Sequence, residues 1–242
     1  MKPATALRGT NSSPPPARRG SGSKRRPPDR REQILAAAAE LFATQGFERT
    51  AVRQIADAVD MLPGSLYHHF AAKEDILHEI LRLPLERMAQ AHRALLDTGG
   101  NAEERLVASV RQRFGDFVQR WELNAILLND SEFFRSRPDF GYVQHAKSAS
   151  FKVQEAILLD GMRARLFRPD LDVYMMIGTV ARMLSSAGHW FRTNRFIHSE
   201  HPDSYTMDRV VNFHIDCVLR LVRPGERLAD PIPDTPAYTA ML

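Results

Sequence analysis

AVRQIADAVDMLPGSLYHHF, Ala51 to Phe70, decides how the rest of this 242-residue chain is read. Val52, Ile55, Ala56 and Val59 fall three and four residues apart, on one face of a short helix. Asp60 takes the turn that follows, because Asp tolerates a left-handed backbone better than most residues. Pro63 suits the first position of another short helix, where its missing N–H removes no hydrogen bond. Leu66 and Phe70 supply the buried side of that helix. Upstream, Ile34, Leu35, Ala38, Leu41 and Phe42 make a helical stripe from Arg30. Gly46 stands as its C-terminal cap, Phe47 can pack back, and Thr50 is placed to cap the next helix. Three helices with a four-residue turn before the last predict a helix-turn-helix unit.

Downstream the helical period continues. A helix starting at Lys73 carries Ile76, Leu77, Ile80, Leu81, Leu85 and Met88, and Pro84 predicts a kink or break in it. Gly99-Gly100-Asn101 reads as a loop. Amphipathic or apolar segments follow at 102–121, 123–134, 142–165, 173–192 and 206–222, with Asp170 or Asp172 capping the fourth of these. Thr193 to Tyr205 is a polar loop, and no alternating strand pattern occurs. The expected fold is all-α with about nine helices. Its expected organisation is a disordered basic arm (1–29), a helix-turn-helix domain (30–83, motif 51–70), a helical ligand-binding and dimerisation domain (84–223) and a flexible tail (224–242).

Composition narrows the class. The apolar fraction of 43% is ordinary for a globular protein. The most apolar run, Leu171 to Gly188, is broken by Asp172 and Arg182, so no membrane span is expected. No apolar segment of a secretory signal stands at the N-terminus. A lone cysteine, Cys217, fits a reducing cytoplasm. The net charge of +4 conceals an asymmetry: residues 1–31 carry nine Lys/Arg and one acid, whereas residues 32–78 carry Arg49, Arg53 and Lys73 against seven acids. Residues 1–29, rich in Pro, Gly, Ser and Arg, bury almost nothing apolar. Two readings fit them, a solubilising tail and an arm that tracks DNA phosphates.

A helix entering a major groove needs small residues in the lead. Gly64 and Ser65 permit close approach to base edges, while Tyr67, His68 and His69 can donate to phosphate oxygens and Lys73 can neutralise one. The runs ILAAAAELFATQGFERTAVRQIADAV and GSLYHHFAAKEDIL resemble the TetR family of bacterial transcriptional regulators over about 50 residues. That resemblance implies that Thr50, Arg53, Tyr67, His68 and Lys73 contact phosphate, that Pro63, Gly64 and Ser65 read bases, and that Phe70 is core. Two departures stand out: Asp60 where the family often has Gly, and Leu62 where Ser or Thr caps the recognition helix. Leu62 accepts no orphan N–H bonds, which costs about 1 kcal/mol.

The resemblance further implies a homodimer built from the last two long helices, a pseudo-palindromic double-stranded DNA operator and a small-molecule effector. Phe117, Trp121, Met183 and Trp190, together with Phe114, Ile126 and Met162, are the expected pocket lining. The segment Leu166 to Asp172, with GSLYHHF, is similar to the branch of the family that answers to acyl-CoA thioesters in lipid and sterol breakdown. Its phosphates need cations, for which Arg192 beside Trp190, Arg182 and Arg195 are the candidates. No cofactor and no catalytic residue is expected. His198-x-x-His201 lies in a polar loop and reads as solvated rather than metal-binding, and Asp130 and Glu132 pair with no nucleophile or base. Two other functions remain open: a DNA-binding regulator without small-molecule control, and a helical ligand-binding protein or enzyme that does not act on DNA.

Overall fold

The computed structural model describes residues 29–193 and 205–225. The expected arm, the polar loop with its His198/His201 cluster, Arg195 and nearly all of the expected tail lie outside the described residues. Asp29 opens α1 (Arg30–Gln45) with a capping box, its side chain bonded to the backbone and Glu32 reaching back to the Asp29 N–H. Gly46, at φ +88°, ends the helix, and its N–H donates to the Phe42 carbonyl.

The short helices α2 (Val52–Ala58) and α3 (Pro63–Leu66) follow. Asp60 between them adopts φ +53°, the left-handed turn its side chain tolerates. Ala51, not Thr50, is the N-cap of α2; Gln54 Oε1 accepts from the Ala51 N–H at 2.7 Å. Leu62 caps α3 with no side-chain hydrogen bond, as its chemistry requires. This recognition helix is only four residues long before the chain turns toward Phe70.

The long helix α4 (Lys73–Ala94) runs through Pro84 without the expected break. Leu81 and Leu85, on either side of the proline, are both buried and anchor the flanking turns against the core. Packing thus offsets the lost hydrogen bond. The body comprises α5 (Ala102–Gln119), α6 (Trp121–Asn129), α7 (Ser131–Ser136), a 3-10 turn (Pro138–Phe140), α8 (Gly141–Arg163), α9 (Val173–Thr193) and α10 (Met207–Val222). The described residues therefore hold ten α-helices and no strand. The extra helix arises because the expected single helix 123–134 divides at Asp130, whose carboxylate leaves the helix to accept from the Phe47 N–H at 3.1 Å. Asp172 caps α9 by accepting from the Met175 N–H at 2.9 Å, and Thr206 caps α10.

Two apolar cores result. One joins α1–α4 to α6, α7 and the start of α8 through Phe42, Phe47, Ile76, Leu81, Ile126, Phe134 and Phe140. The other fills the body from α5, α8, α9 and α10 through Phe114, Ile157, Phe167, Leu184 and Val218. Among the described residues no helix is long and apolar enough to cross a membrane.

The second core is tight where α8 turns toward α9. A Cβ on Gly161 would lie 2.0 Å from Cδ2 of Phe167, a ring buried in that core. Gly161→Ala is therefore expected to destabilise the protein by about 1–3 kcal/mol through overpacking, read as a lower thermal midpoint.

Candidate nucleic-acid interface and interior cavity

The turn after α1 is fastened from two sides. The Phe47 N–H is held by Asp130, while Lys73 Nζ donates to the carbonyls of Phe47 at 2.7 Å and Thr50 at 2.8 Å and lies 4.3 Å from the centre of the Phe47 ring. Burial pushes the Lys73 ammonium below its usual pKa, opposed by the surrounding carboxylates, and raises the Asp130 carboxyl, opposed by the Phe47 hydrogen bond and nearby cations and reinforced by Glu48. Lys73 is thus committed to the fold and has little donor capacity left for a phosphate. Thr50 is likewise turned inward: 1% exposed, it donates Oγ1–H to the Gly46 carbonyl at 2.8 Å. Asn129 adds a third fastening, donating to the Ala43 carbonyl at 3.0 Å.

The remaining interface candidates are each at least partly exposed. Arg53 is exposed and, among the described residues, pairs with Asp57, 3.8 Å away and one helical turn on. Gly64 is exposed at the start of α3, and a Cβ built on it meets nothing within 4 Å. No internal packing demands glycine there. Pro63 and Ser65 flank it half-buried, Tyr67 is 54% exposed, and His68 and His69 are exposed. Arg31 is occupied elsewhere, paired with Glu79 on α4 and lying over the Phe70 ring.

The body contains a cavity of about 440 Å³ between α4, α5, α6, α8 and α9, within the range of small-molecule sites. Its walls are mainly apolar: Leu85, Met88, Phe117, Leu127, Phe151 and Ile177. The exposed side chains Leu128, Lys147, Tyr174 and Arg182 form one side, and His92, Arg113, Asp116 and Ser150 contribute polar groups. Of the five residues expected to bind ligand, Phe117 alone lines this cavity. Met183 packs on the second core. Trp121 packs on the first core and carries the Arg192 guanidinium 3.7 Å from its ring centre. Trp190 is 48% exposed. Each of these sits on an apolar stripe, and a stripe does not record which neighbour it faces. Arg182, the other cation named for phosphate, does line the cavity.

The polar groups His92, Arg113 and Asp116 escaped the sequence reading. Their signal was polarity at positions in register with apolar neighbours: His92 lies four residues from Met88, and Asp116 lies between Phe114 and Phe117. His92 Nδ1 meets Ser150 Oγ at 2.9 Å, and burial, reinforced by the Arg113 charge, pushes its pKa down to about 4. Burial also lowers the Arg113 guanidinium and raises the Asp116 carboxyl. Among the described residues no group of three His, Cys, Asp or Glu is arranged to hold a metal.

A helix-turn-helix unit set on an all-α body with a partly open cavity is the architecture of a DNA-binding regulator. The family model for bacterial regulatory proteins of the tetR family matches residues 34–80. The chain is 32% identical over 155 residues to the HTH-type transcriptional repressor KstR2 of Mycobacterium tuberculosis H37Rv, covering 64% of this chain and 78% of that protein. It is 30% identical over 182 residues to KstR2 of Rhodococcus jostii, covering 75% and 85%. The solved structure of the ketosteroid transcriptional regulator KstR2 of Mycobacterium tuberculosis superposes with a TM-score of 0.71 at 29% identity, over 81% of this chain and 96% of that one. The chain belongs to the TetR family, whose members bind DNA operators and dimerise; it is a transcriptional regulator and not an enzyme.

His92 gives the cavity a pH signature. Its pKa of about 4 lies below the unfolded value of 6.5, so the unfolded chain binds the extra proton first. The stability associated with neutral His92 is present above pH 6.5 and is lost as pH falls toward 4, by up to about 1.4 kcal/mol per pH unit. Asp116, raised rather than lowered, acts in the opposite sense, so the difference between two proteins isolates the histidine. Denaturant unfolding of His92→Gln between pH 7 and 4 is expected to show a shallower loss of stability than the parent.

Proposed function

We propose that this protein is a ligand-responsive repressor that binds a pseudo-palindromic operator as a dimer and is released when a small, largely apolar effector enters the body cavity. The observation that carries the reading is the position of that cavity. Two of its walls, α4 and α6, are also the elements fastened to the helix-turn-helix unit, through Lys73 on α4 and through Asn129 and the following Asp130 on α6. An effector that favours one arrangement of α4 and α6 thereby favours one orientation of the reader. Its leverage equals its differential affinity for the two arrangements. The division into a reader (30–83) and a body (84–223) belongs to the same proposal, the boundary falling inside the continuous α4.

In this reading Pro63, Gly64 and Ser65 approach base edges, and Arg53, Tyr67 and His68 position the unit on phosphates. Thr50 and Lys73 contribute from behind, by holding the turn between α1 and α2. Homodimerisation is supported by apolar side chains left exposed on the last two helices, Met175 on α9 and Phe213 and Leu221 on α10. The repressor sense is supported by the relatives, which are named repressors. An acyl-CoA effector is supported by the cations Lys147 and Arg182 at the exposed side of an apolar cavity, where an anionic carrier would leave an apolar acyl group. The likeness to a protein named a ketosteroid regulator adds to that support.

Gly64 tests the reader. Gly64→Leu is expected to leave stability within about 0.5 kcal/mol, since the site is open, while weakening binding to duplex selected by the protein by about tenfold or more. Undiminished affinity would remove α3 from the interface. The effector is tested by titrating acyl-CoA thioesters, steroid-derived ones included, into the protein–operator complex and following release by fluorescence anisotropy. Release at ligand concentrations that saturate the protein is expected. Intact complexes with every thioester, beside release by another ligand class, would overturn the acyl-CoA reading.

A further inference from the structure

The side chains that line the cavity do not balance in charge. Arg113, Lys147 and Arg182 are cations, and Asp116 is the one acid among the described lining residues. His92, pushed down by burial to a pKa of about 4, is neutral near pH 7. Lys147 and Arg182 are exposed, so water screens their charge. Arg113 is only partly exposed, and burial lowers its pKa, although a guanidinium remains protonated. Among the described residues its side chain forms no ion pair and no hydrogen bond. Asp116, three residues on, acts on it from beyond ion-pairing distance and is itself set against Arg120 at 3.5 Å and His92 at 3.7 Å. Arg113 Nε is buried without a partner, whereas its two NH2 groups, equally unpaired, keep accessible surface. A charge partly withdrawn from water with no counter-ion retains its desolvation cost, and an anion that reaches it offsets that cost.

Building on the effector-cavity reading above, we propose that the effector carries a carboxylate on its apolar portion and that Arg113 binds this carboxylate. The edge of the guanidinium that is used follows from which nitrogens can be reached: Nε cannot, so the pair forms end-on, Nη1 and Nη2 each donating to one carboxylate oxygen. A carboxylate brings two coplanar oxygens, which match the planar fork of donors, and a single negative charge. An amide or a ketone accepts one hydrogen bond and leaves the charge uncompensated. A hydrocarbon does neither. A phosphate monoester brings between one and two negative charges toward a helix that also carries Asp116. Leu85, Met88 and Phe117, which line the same cavity, take the apolar portion. On the thioester reading the carboxylate is a second acid group on the acyl portion, the first being consumed in the thioester. The carrier phosphates then fall to Lys147 and Arg182 at the exposed side.

The test uses the full-length protein at pH 7 and two probes of nearly equal shape, adamantane-1-carboxylate and its uncharged amide, titrated by calorimetry. The carboxylate is expected to bind about 10- to 100-fold more tightly than the amide, the range of hydrogen bonds between charged groups. Arg113→Gln is expected to abolish that preference, and the double variant Lys147→Gln/Arg182→Gln to keep it. A preference that survives in Arg113→Gln and disappears in the double variant would place the anion at the exposed side; that outcome overturns the Arg113 assignment and leaves the cavity reading standing. Equal affinities for the two probes in the parent protein would do the same. No binding of either probe would overturn the cavity reading and this assignment together. If Arg113→Gln does not fold, the double variant decides, because Arg113 is then the remaining cation among the described lining residues: a retained preference supports the assignment and a lost one overturns it.

Discussion

The structure depends on how the backbone around Phe47 is held. Its N–H is met by the Asp130 carboxylate, its carbonyl by the Lys73 ammonium, and its ring stands edge-on to Phe42, 5.1 Å between centres, and 4.9 Å from Phe133. Residues far apart in sequence thereby fix the one turn that orients α2 and α3. Burying an ammonium and a carboxylate costs free energy, which is recovered only because each is hydrogen-bonded to backbone groups that would otherwise be unmet. Asp130 stands at the division between α6 and α7, so this contact also ties that point of the body to the turn. One local demand shapes the reader and the body together.

That constraint takes Lys73 out of the charge the reader could offer. Arg31 lies between Glu79 and Phe70, Lys73 serves backbone carbonyls, and of these cations Arg53 is the one that projects outward with a single weak partner. The exposed residues around α3 are a glycine at the helix start, a tyrosine and two histidines, with Arg53 exposed on α2. Groups of this kind position a duplex by shape and hydrogen bonding more than by charge.

The body follows a different rule. Its helices bury apolar stripes in two cores but leave a cavity where α4, α5, α6, α8 and α9 meet, and there polar side chains replace apolar ones on the inward face. A filled core has no use for His92, Arg113 and Asp116 in mutual proximity with unmet atoms. α4 and α6 both line this cavity and contact the helix-turn-helix unit. Pro84, where a kink or break was expected, lies within a continuous α4 flanked by the buried Leu81 and Leu85.

Local sequence was sufficient for most helices and turns, because these are decided by residues within a few positions of one another, though it placed the α2 cap on Thr50 rather than Ala51 and ran α6 and α7 together. The Asp60 turn, the Gly46 cap, the uncapped Leu62 and the all-α class all followed from such short-range rules, and GSLYHHF with the preceding run carried the family. What only the tertiary structure decided is how each side chain is used. Thr50 and Lys73 were legible as polar residues at the reader's edge, yet which way they turn depends on Gly46 and Phe47 being brought against them. Trp121, Met183, Trp190 and Arg192 were legible as apolar or cationic positions on body helices, yet helical periodicity cannot tell a core-facing stripe from a cavity-facing one. AVRQIADAVDMLPGSLYHHF thus determined by itself what kind of unit the chain builds. The packing of α4 and α6 against it decided which of its residues face outward, because burial is a property of neighbours that the sequence does not place side by side.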